Sequence, residues 1–178
     1  VVSIVGAPGE RAEEPGHDLT YQADSGLVNG LEMPASLYAD MGGSLFATEA
    51  VLQALLMRQR PGKAQGQGVF HEVALCDASS YLALPRAWGL TLPSGDVGGA
   101  HAGYKVYPCK NGRVALAALE PHFAVRLCEA AGLPKQAATH MHKRSTHEAI
   151  AQFLALQTRA QLEKLANSKD IPLHTLPR

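Results

Sequence analysis

The sequence predicts an α/β fold in two parts, on three observations. The β-branched run Val1-Val2-Ser3-Ile4-Val5 and the alternating run from Val69 to Leu75 read as strands separated by helical periodicity. A stretch rich in Pro and Gly from 91 to 103 breaks that pattern. Beyond it, Lys110-Asn111-Gly112 joins two further strand-like runs ahead of three helical ones. The expected layout is residues 1–90 as part of one α/β domain and 91–103 as a linker or ligand-covering loop. Residues 104–178 then form a smaller α/β domain with a β-hairpin and helices.

Taken in order, the first strand ends at Gly6-Ala7-Pro8-Gly9, the pattern of a buried strand leaving into a loop. A polar loop through Glu13 and Glu14 delivers His17-Asp18. Leu19, Ala23 and Leu27 then recur at four-residue spacing before Gly30, which predicts a short helix with His17 at its first turn. Pro34 and Ser36 break the chain ahead of Tyr38-Ala39-Asp40-Met41-Gly42-Gly43-Ser44. From Ser44 to Arg60, Leu45, Thr48, Leu52, Leu55 and Leu56 share one helical face, and Pro61-Gly62 stops the helix. After the second strand, Asp77 is placed to cap a helix running toward Trp88, with Pro85 kinking or ending it.

In the second part, Asn-Gly supplies the positive φ angles of a tight hairpin between strands at 104–109 and 113–119. Pro121 suits a first helical position, with Gly132 as the stop. Ser145 with Glu148 and Thr158 with Gln161 read as capping boxes opening two more helices, and Ile171-Pro172-Leu173 is extended.

The composition narrows the function classes. With 178 residues, 46% of them hydrophobic, the chain can build a real core as one full domain or parts of two. Sixteen basic residues balance sixteen acidic ones without a basic run, which argues against nucleic-acid partners and against an anionic membrane surface. Cys76, Cys109 and Cys128 lack the spacing of a disulfide framework or zinc knuckle, and point to a reducing cytoplasm. No membrane span or signal peptide is evident, and the opening at Val1 without Met reads as a fragment or processed chain.

Three ionisable residues stand where elements begin or end: His17, Asp40 and Glu120. Such positions reach a cleft while the scaffold holds them. Each also has an ordinary explanation. Asp40 reads by its own context as a helix cap, His17 as a satisfied or exposed histidine, and Glu120 as a partner of a helix dipole. His140, His142 and His147 make a poor metal set, because two histidines two apart chelate well only on a strand. Ser79-Ser80 lacks the glycine pattern of a nucleophile elbow.

The order and wording of the motifs add to this. Gly16-His17-Asp18-Leu19-Thr20-Tyr21 comes first, followed by Ala39-Asp40-Met41-Gly42-Gly43 with a helix ending Arg60-Pro61-Gly62-Lys63. Gly103-Tyr104-Lys105-Val106-Tyr107 then leads to Ala117-Ala118-Leu119-Glu120-Pro121-His122-Phe123. Over nearly the whole chain this resembles the family III CoA-transferases, the CaiB/BaiF group that includes the α-methylacyl-CoA racemases. Asp40 matches the aspartate shared by transferases and racemases. His17 and Glu120 match the racemase branch. Gly98-Gly99-Ala100-His101-Ala102-Gly103 departs from the unbroken glycine loop of formyl-CoA-type transferases.

The resemblance implies part of a Rossmann-like large domain before the smaller one, and an interlocked homodimer. Val1 matches a strand well inside the large domain and Arg178 falls near the end of the small one, so the chain is expected to be the middle of such an enzyme. The implied substrate is an acyl-CoA thioester, with no cofactor beyond coenzyme A as part of it and no metal.

The implied reaction is a two-base proton transfer at the α-carbon, with His17 and Asp40 on opposite faces and Glu120 of the partner chain orienting His17. Gly42, Gly43 and Tyr21 are the expected CoA-binding positions, the glycine amides serving an enolate oxygen. Two alternatives stand beside it. In one, Asp40 attacks the thioester and passes CoA between carboxylic acids. In the other, the chain is a non-catalytic remnant.

Overall fold

In the computed structural model, which describes residues 1–59 and 68–178, strand β1 (Val2–Val5) pairs in parallel with β2 (His71–Ala74) in the register Val2↔His71 to Val5↔Ala74. Parallel neighbours need a crossover, and among its described residues here it carries two α-helices, α1 (Asp18–Asp24) and α2 (Tyr38–Arg58). β2 runs without a loop into α3 (Leu75–Leu82), and α4 (Leu84–Ala87) follows with Pro85 in its first turn. These elements make up the first of two units, Val1–Trp88.

Several expectations for this unit are corrected. The first strand is not fully buried. With one neighbour among the described residues, it leaves Ile4 55% exposed. The long helix begins at Tyr38, two residues before Asp40, its expected cap, because a side chain from another element caps it. The expected stop at Arg60-Pro61-Gly62 lies outside the described residues.

The leucine stripe of α2 is not its buried face, since Leu45, Leu52, Leu55 and Leu56 are exposed and Ala39, Gly42, Gly43 and Ala50 are buried. The cause is close approach to α3. A Cβ at Gly42 would meet Leu82 Cδ1 at 3.1 Å and Ala78 Cβ at 3.3 Å, and one at Gly43 would meet Leu75 Cδ2 at 2.3 Å. In α1, likewise, Asp18 and Gln22 are buried while Leu19 and Ala23 face out. Asp77 lies inside the first turn of α3 and makes no cap bond.

The second unit is Gly89–Arg178. β3 (Tyr104–Cys109), β4 (Gly112–Ala117) and β5 (Leu173–Leu176) form an antiparallel sheet in that order. The helices α5 (Pro121–Ala130), α6 (Arg144–Ala155) and α7 (Arg159–Lys169) belong to the same unit. Val114, Leu116, Leu127, Met141, Ile150, Leu154 and Leu162 form one buried cluster. The stretch 91–103 packs within this unit: Ala102 donates to Met141 O at 2.9 Å, and His147 Nε2 lies 2.9 Å from Ala100 O.

The hairpin forms where expected, but by another device. Lys110, Asn111 and Gly112 all keep negative φ. Asn111 Oδ1 accepts from the N–H of Arg159 at 2.9 Å, capping α7 from outside it. Gly112 is required by space, because a Cβ there would stand 2.3 Å from Leu176 O. The capping box at Thr158 and Gln161 forms. The one expected at Ser145 does not, since α6 starts at Arg144 and Glu148 pairs with Arg144 at 2.7 Å.

Candidate functional site

Within the first unit, the ends of α1 and α2 are joined through one carboxylate. His17 is the residue before α1, and Thr20 Oγ1 accepts from its N–H at 3.0 Å and donates to its C=O at 2.7 Å. Asp18, the next residue, is buried, and its Oδ1 accepts from the N–H groups of Ala39 at 2.8 Å and Asp40 at 3.1 Å. His17 and Asp40 are therefore each one short link from the same carboxylate, although 22 residues separate Asp18 from Asp40 in the chain.

This arrangement answers what Asp40 does in its helix. Asp40 is the third residue of α2 and leaves the capping to Asp18. Among the described residues no group donates a hydrogen bond to the Asp40 carboxylate, which is half-buried, whereas the imidazole of His17 is exposed. A histidine and an uncommitted carboxylate, each at a helix start, can exchange base and acid roles or present the carboxylate as a nucleophile.

The glycines that follow contribute packing. Gly42 and Gly43 lie beyond Met41, whose N–H already bonds Leu37 O at 2.9 Å, so their amides belong to the helix ladder and are not free donors for an enolate oxygen. Tyr21 is seated against the main chain. A Cβ at Gly6 or Gly16 would fall 2.2 Å and 2.4 Å from its hydroxyl, so a larger residue at either position would require the Tyr21 ring to shift.

Tyr21 borders a partly open, polar cavity of about 390 Å³, together with Thr20, Asp24, Cys76 and Asp77. The Cys76 thiol is pushed above its usual range by burial and then by Asp77, which disfavours the thiolate. Ser79 is fully buried, donates to Tyr21 O at 3.1 Å and lies 2.7 Å from Ser25 Oγ.

Glu120 belongs to the second unit, where it is exposed at the cap position of α5 ahead of Pro121 and makes no side-chain cap bond. The three candidate metal histidines are otherwise engaged: His142 Nε2 lies 2.6 Å from Asp96 Oδ1, His147 on Ala100 O, and His140 Nδ1 3.2 Å from Gln136 O. Among the described residues no group of three or more His, Cys, Asp or Glu side chains is arranged to hold a metal.

Sequence reasoning missed Asp18 and Gln22 as site residues. The available signal was an Asp and a Gln at i,i+4 spacing opening a predicted helix, where a buried polar face is unusual.

The family model described as CoA-transferase family III matches residues 1–177. Among solved structures, Rv3272 from M. tuberculosis superposes with a TM-score of 0.74 at 19% identity, covering 97% of this chain and 49% of that one. A CaiB/BaiF family protein from Brucella suis superposes with a TM-score of 0.69 at 21% identity, covering 99% of this chain and 52% of that one. The chain thus shares their fold and spans about half their length.

Proposed function

The chain belongs to CoA-transferase family III, and we propose that it carries 1,1-proton transfer, a racemisation or epimerisation, at the α-carbon of a 2-methylacyl-CoA thioester. The observation that carries this reading is the union of His17 and Asp40 through Asp18. Transfer chemistry needs only the carboxylate, while proton transfer with inversion needs a second base. A histidine whose main chain is held in the same junction is the proposed second base.

In the proposed reaction one of the pair removes the α-proton, leaving an enolate conjugated with the thioester carbonyl. The other delivers a proton to the opposite face, and the two residues end with protonation states exchanged. Glu120, supplied by the second copy of an interlocked homodimer, orients the His17 imidazole as a carboxylate does in other histidine sites. Tyr21 and the cavity beside it are assigned to the CoA end of the substrate. The proposed setting is the cytoplasm. Among the described residues no helix is long and apolar enough to cross a membrane.

The test is solvent-deuterium incorporation at the α-carbon of 2-methylacyl-CoA, followed by NMR. Incorporation is expected in the wild type, and His17→Ala and Asp40→Ala should each slow it about 100-fold or more, the scale of a lost general base. A second reading is favoured by the Asp40 carboxylate being free of hydrogen-bond donors among the described residues. There the Asp40 carboxylate attacks the thioester carbonyl and expels CoA thiolate to give an acyl anhydride. The thiolate then attacks the aspartyl carbonyl, releasing the first acid and leaving an aspartyl-CoA thioester, from which a second carboxylic acid takes the CoA and frees Asp40. CoA exchange between two carboxylic acids that survives His17→Ala but not Asp40→Ala would decide for it. Absence of both activities would leave a non-catalytic acyl-CoA-family protein.

A further inference from the structure

We propose that Asp18 is a positioning residue that sets the separation of His17 and Asp40, an inference that rests on the proton-transfer reading above. Asp18 directly follows an exposed histidine yet is itself only 6% exposed, where a carboxylate is destabilising unless hydrogen-bonded. Its bonds go mostly to another element. Oδ1 accepts from the N–H groups of Ala39 at 2.8 Å and Asp40 at 3.1 Å, and Oδ2 accepts from Gln22 Nε2. That amide nitrogen also donates to Ser36 O at 3.0 Å, so both halves of the carboxylate are tied to the segment entering α2.

The usual place for such a cap is the residue before the helix. Here that residue is Leu37, whose side chain has no acceptor. A cap borrowed from α1 stabilises α2 as a local one would, and it also makes the first turn of α2 and the first turn of α1 move together. Thr20 removes the remaining slack by bonding both the N–H and the C=O of His17. Two bases acting on opposite faces of one carbon need a fixed spacing, since a displacement of about 1 Å lowers such rates about 100-fold.

Gln22 makes Asp18→Asn the discriminating variant. Gln22 Oε1 is buried without a partner. In Asp18→Asn the remaining carbonyl oxygen still accepts from Ala39 and Asp40, and rotation of the Gln22 amide brings Oε1 to the new N–H₂ group while giving up the bond to Ser36 O, so the tie this variant keeps is the one to the first turn of α2.

The experiment uses the protein as encoded. Wild type, Asp18→Ala and Asp18→Asn are compared at matched folded fraction by circular dichroism, with deuterium incorporation and acid-to-acid CoA exchange both measured. Asp18→Ala is expected to lower kcat for incorporation about 100-fold with KM changed less than about threefold, and Asp18→Asn to recover kcat to within about tenfold. Amide hydrogen exchange at Ala39 and Asp40 should accelerate in Asp18→Ala and stay near wild type in Asp18→Asn.

An unchanged kcat in folded Asp18→Ala, or a loss confined to KM, overturns the inference. If Asp18→Ala does not fold, Asp18→Asn decides alone: protection and kcat both retained support the inference, and protection retained with kcat lost overturns it. Absence of both activities in the wild type overturns the reading on which it rests.

Discussion

The fold opposes ionisation of His101. It is buried, its Nδ1 accepts from the N–H of Gly103 at 3.1 Å, and its ring meets that of His142 edge-on at 5.6 Å. Burial lowers its pKa from the usual 6.5, His142 and His147 lower it further, and Asp96 works the other way. Because the folded value lies below the unfolded one, the unfolded chain binds the extra proton first. The stabilisation is complete above about pH 6.5 and is lost as pH falls through the folded value. The urea midpoint should therefore drop from about pH 7.5 to about pH 5, and His101→Asn, which keeps an acceptor for Gly103 without a titrating ring, should flatten that drop. An equal drop in the variant would mean another group is responsible.

At the scale of elements, helix ends distinguish real caps from apparent ones. Thr158 and Gln161 bond reciprocally across the start of α7, and Asn111 adds a second acceptor at Arg159. Ser145 caps nothing, since α6 begins one residue earlier with Lys143 before it. Thr158→Ala should lower stability by about 1 kcal/mol, the value of a lost cap. Ser145→Ala should stay within about 0.5 kcal/mol of wild type, as exposed positions do. Urea denaturation of both variants measures the contrast, and equal losses would remove the distinction. The same logic explains α2, whose apolar stripe suggests one buried face and whose glycines create another.

At the scale of the molecule, the two units differ in what holds them. Gly89–Arg178 has a contiguous core in which Val114, Leu127, Ile150, Leu154 and Leu162 are fully buried, each worth about 1.5–3 kcal/mol of apolar burial. Val1–Trp88 buries mainly alanines, glycines and the Asp18–Gln22 pair, while Leu31, Met33, Leu45, Leu56, Phe70 and Trp88 stand exposed. A surface with that much apolar area favours association. Residues 89–178 expressed alone should melt cooperatively by calorimetry, and residues 1–88 alone should bind a hydrophobic dye without a cooperative transition. A sharp transition in the shorter N-terminal piece would contradict this account of its core.

What the sequence alone determined is what local chemistry encodes. The order of strands and helices, the Pro121 start of α5, the Gly132 stop at φ +73°, the Thr158 box and the site of the hairpin all rest on neighbouring residues. Periodicity and capping act over a few residues, so they leave a readable pattern. The motif carrying His17, Asp40 and Glu120 was legible in the same way, as wording along the chain.

Tertiary structure decided the rest, for reasons no window of sequence contains. That α2 turns its small residues inward follows from the nearness of α3, which sets Leu75, Ala78 and Leu82 against Gly42 and Gly43. That Gly112 answers to Leu176 and Asn111 to Arg159 depends on strand and helix partners far along the chain. Above all, Asp40 read locally as its own helix cap, and the fold gives that task to Asp18. A hydrogen bond across 22 residues has no period and no neighbour to announce it, and it is this bond that relieves the Asp40 carboxylate of capping and joins the Asp40 main chain to the residue after His17.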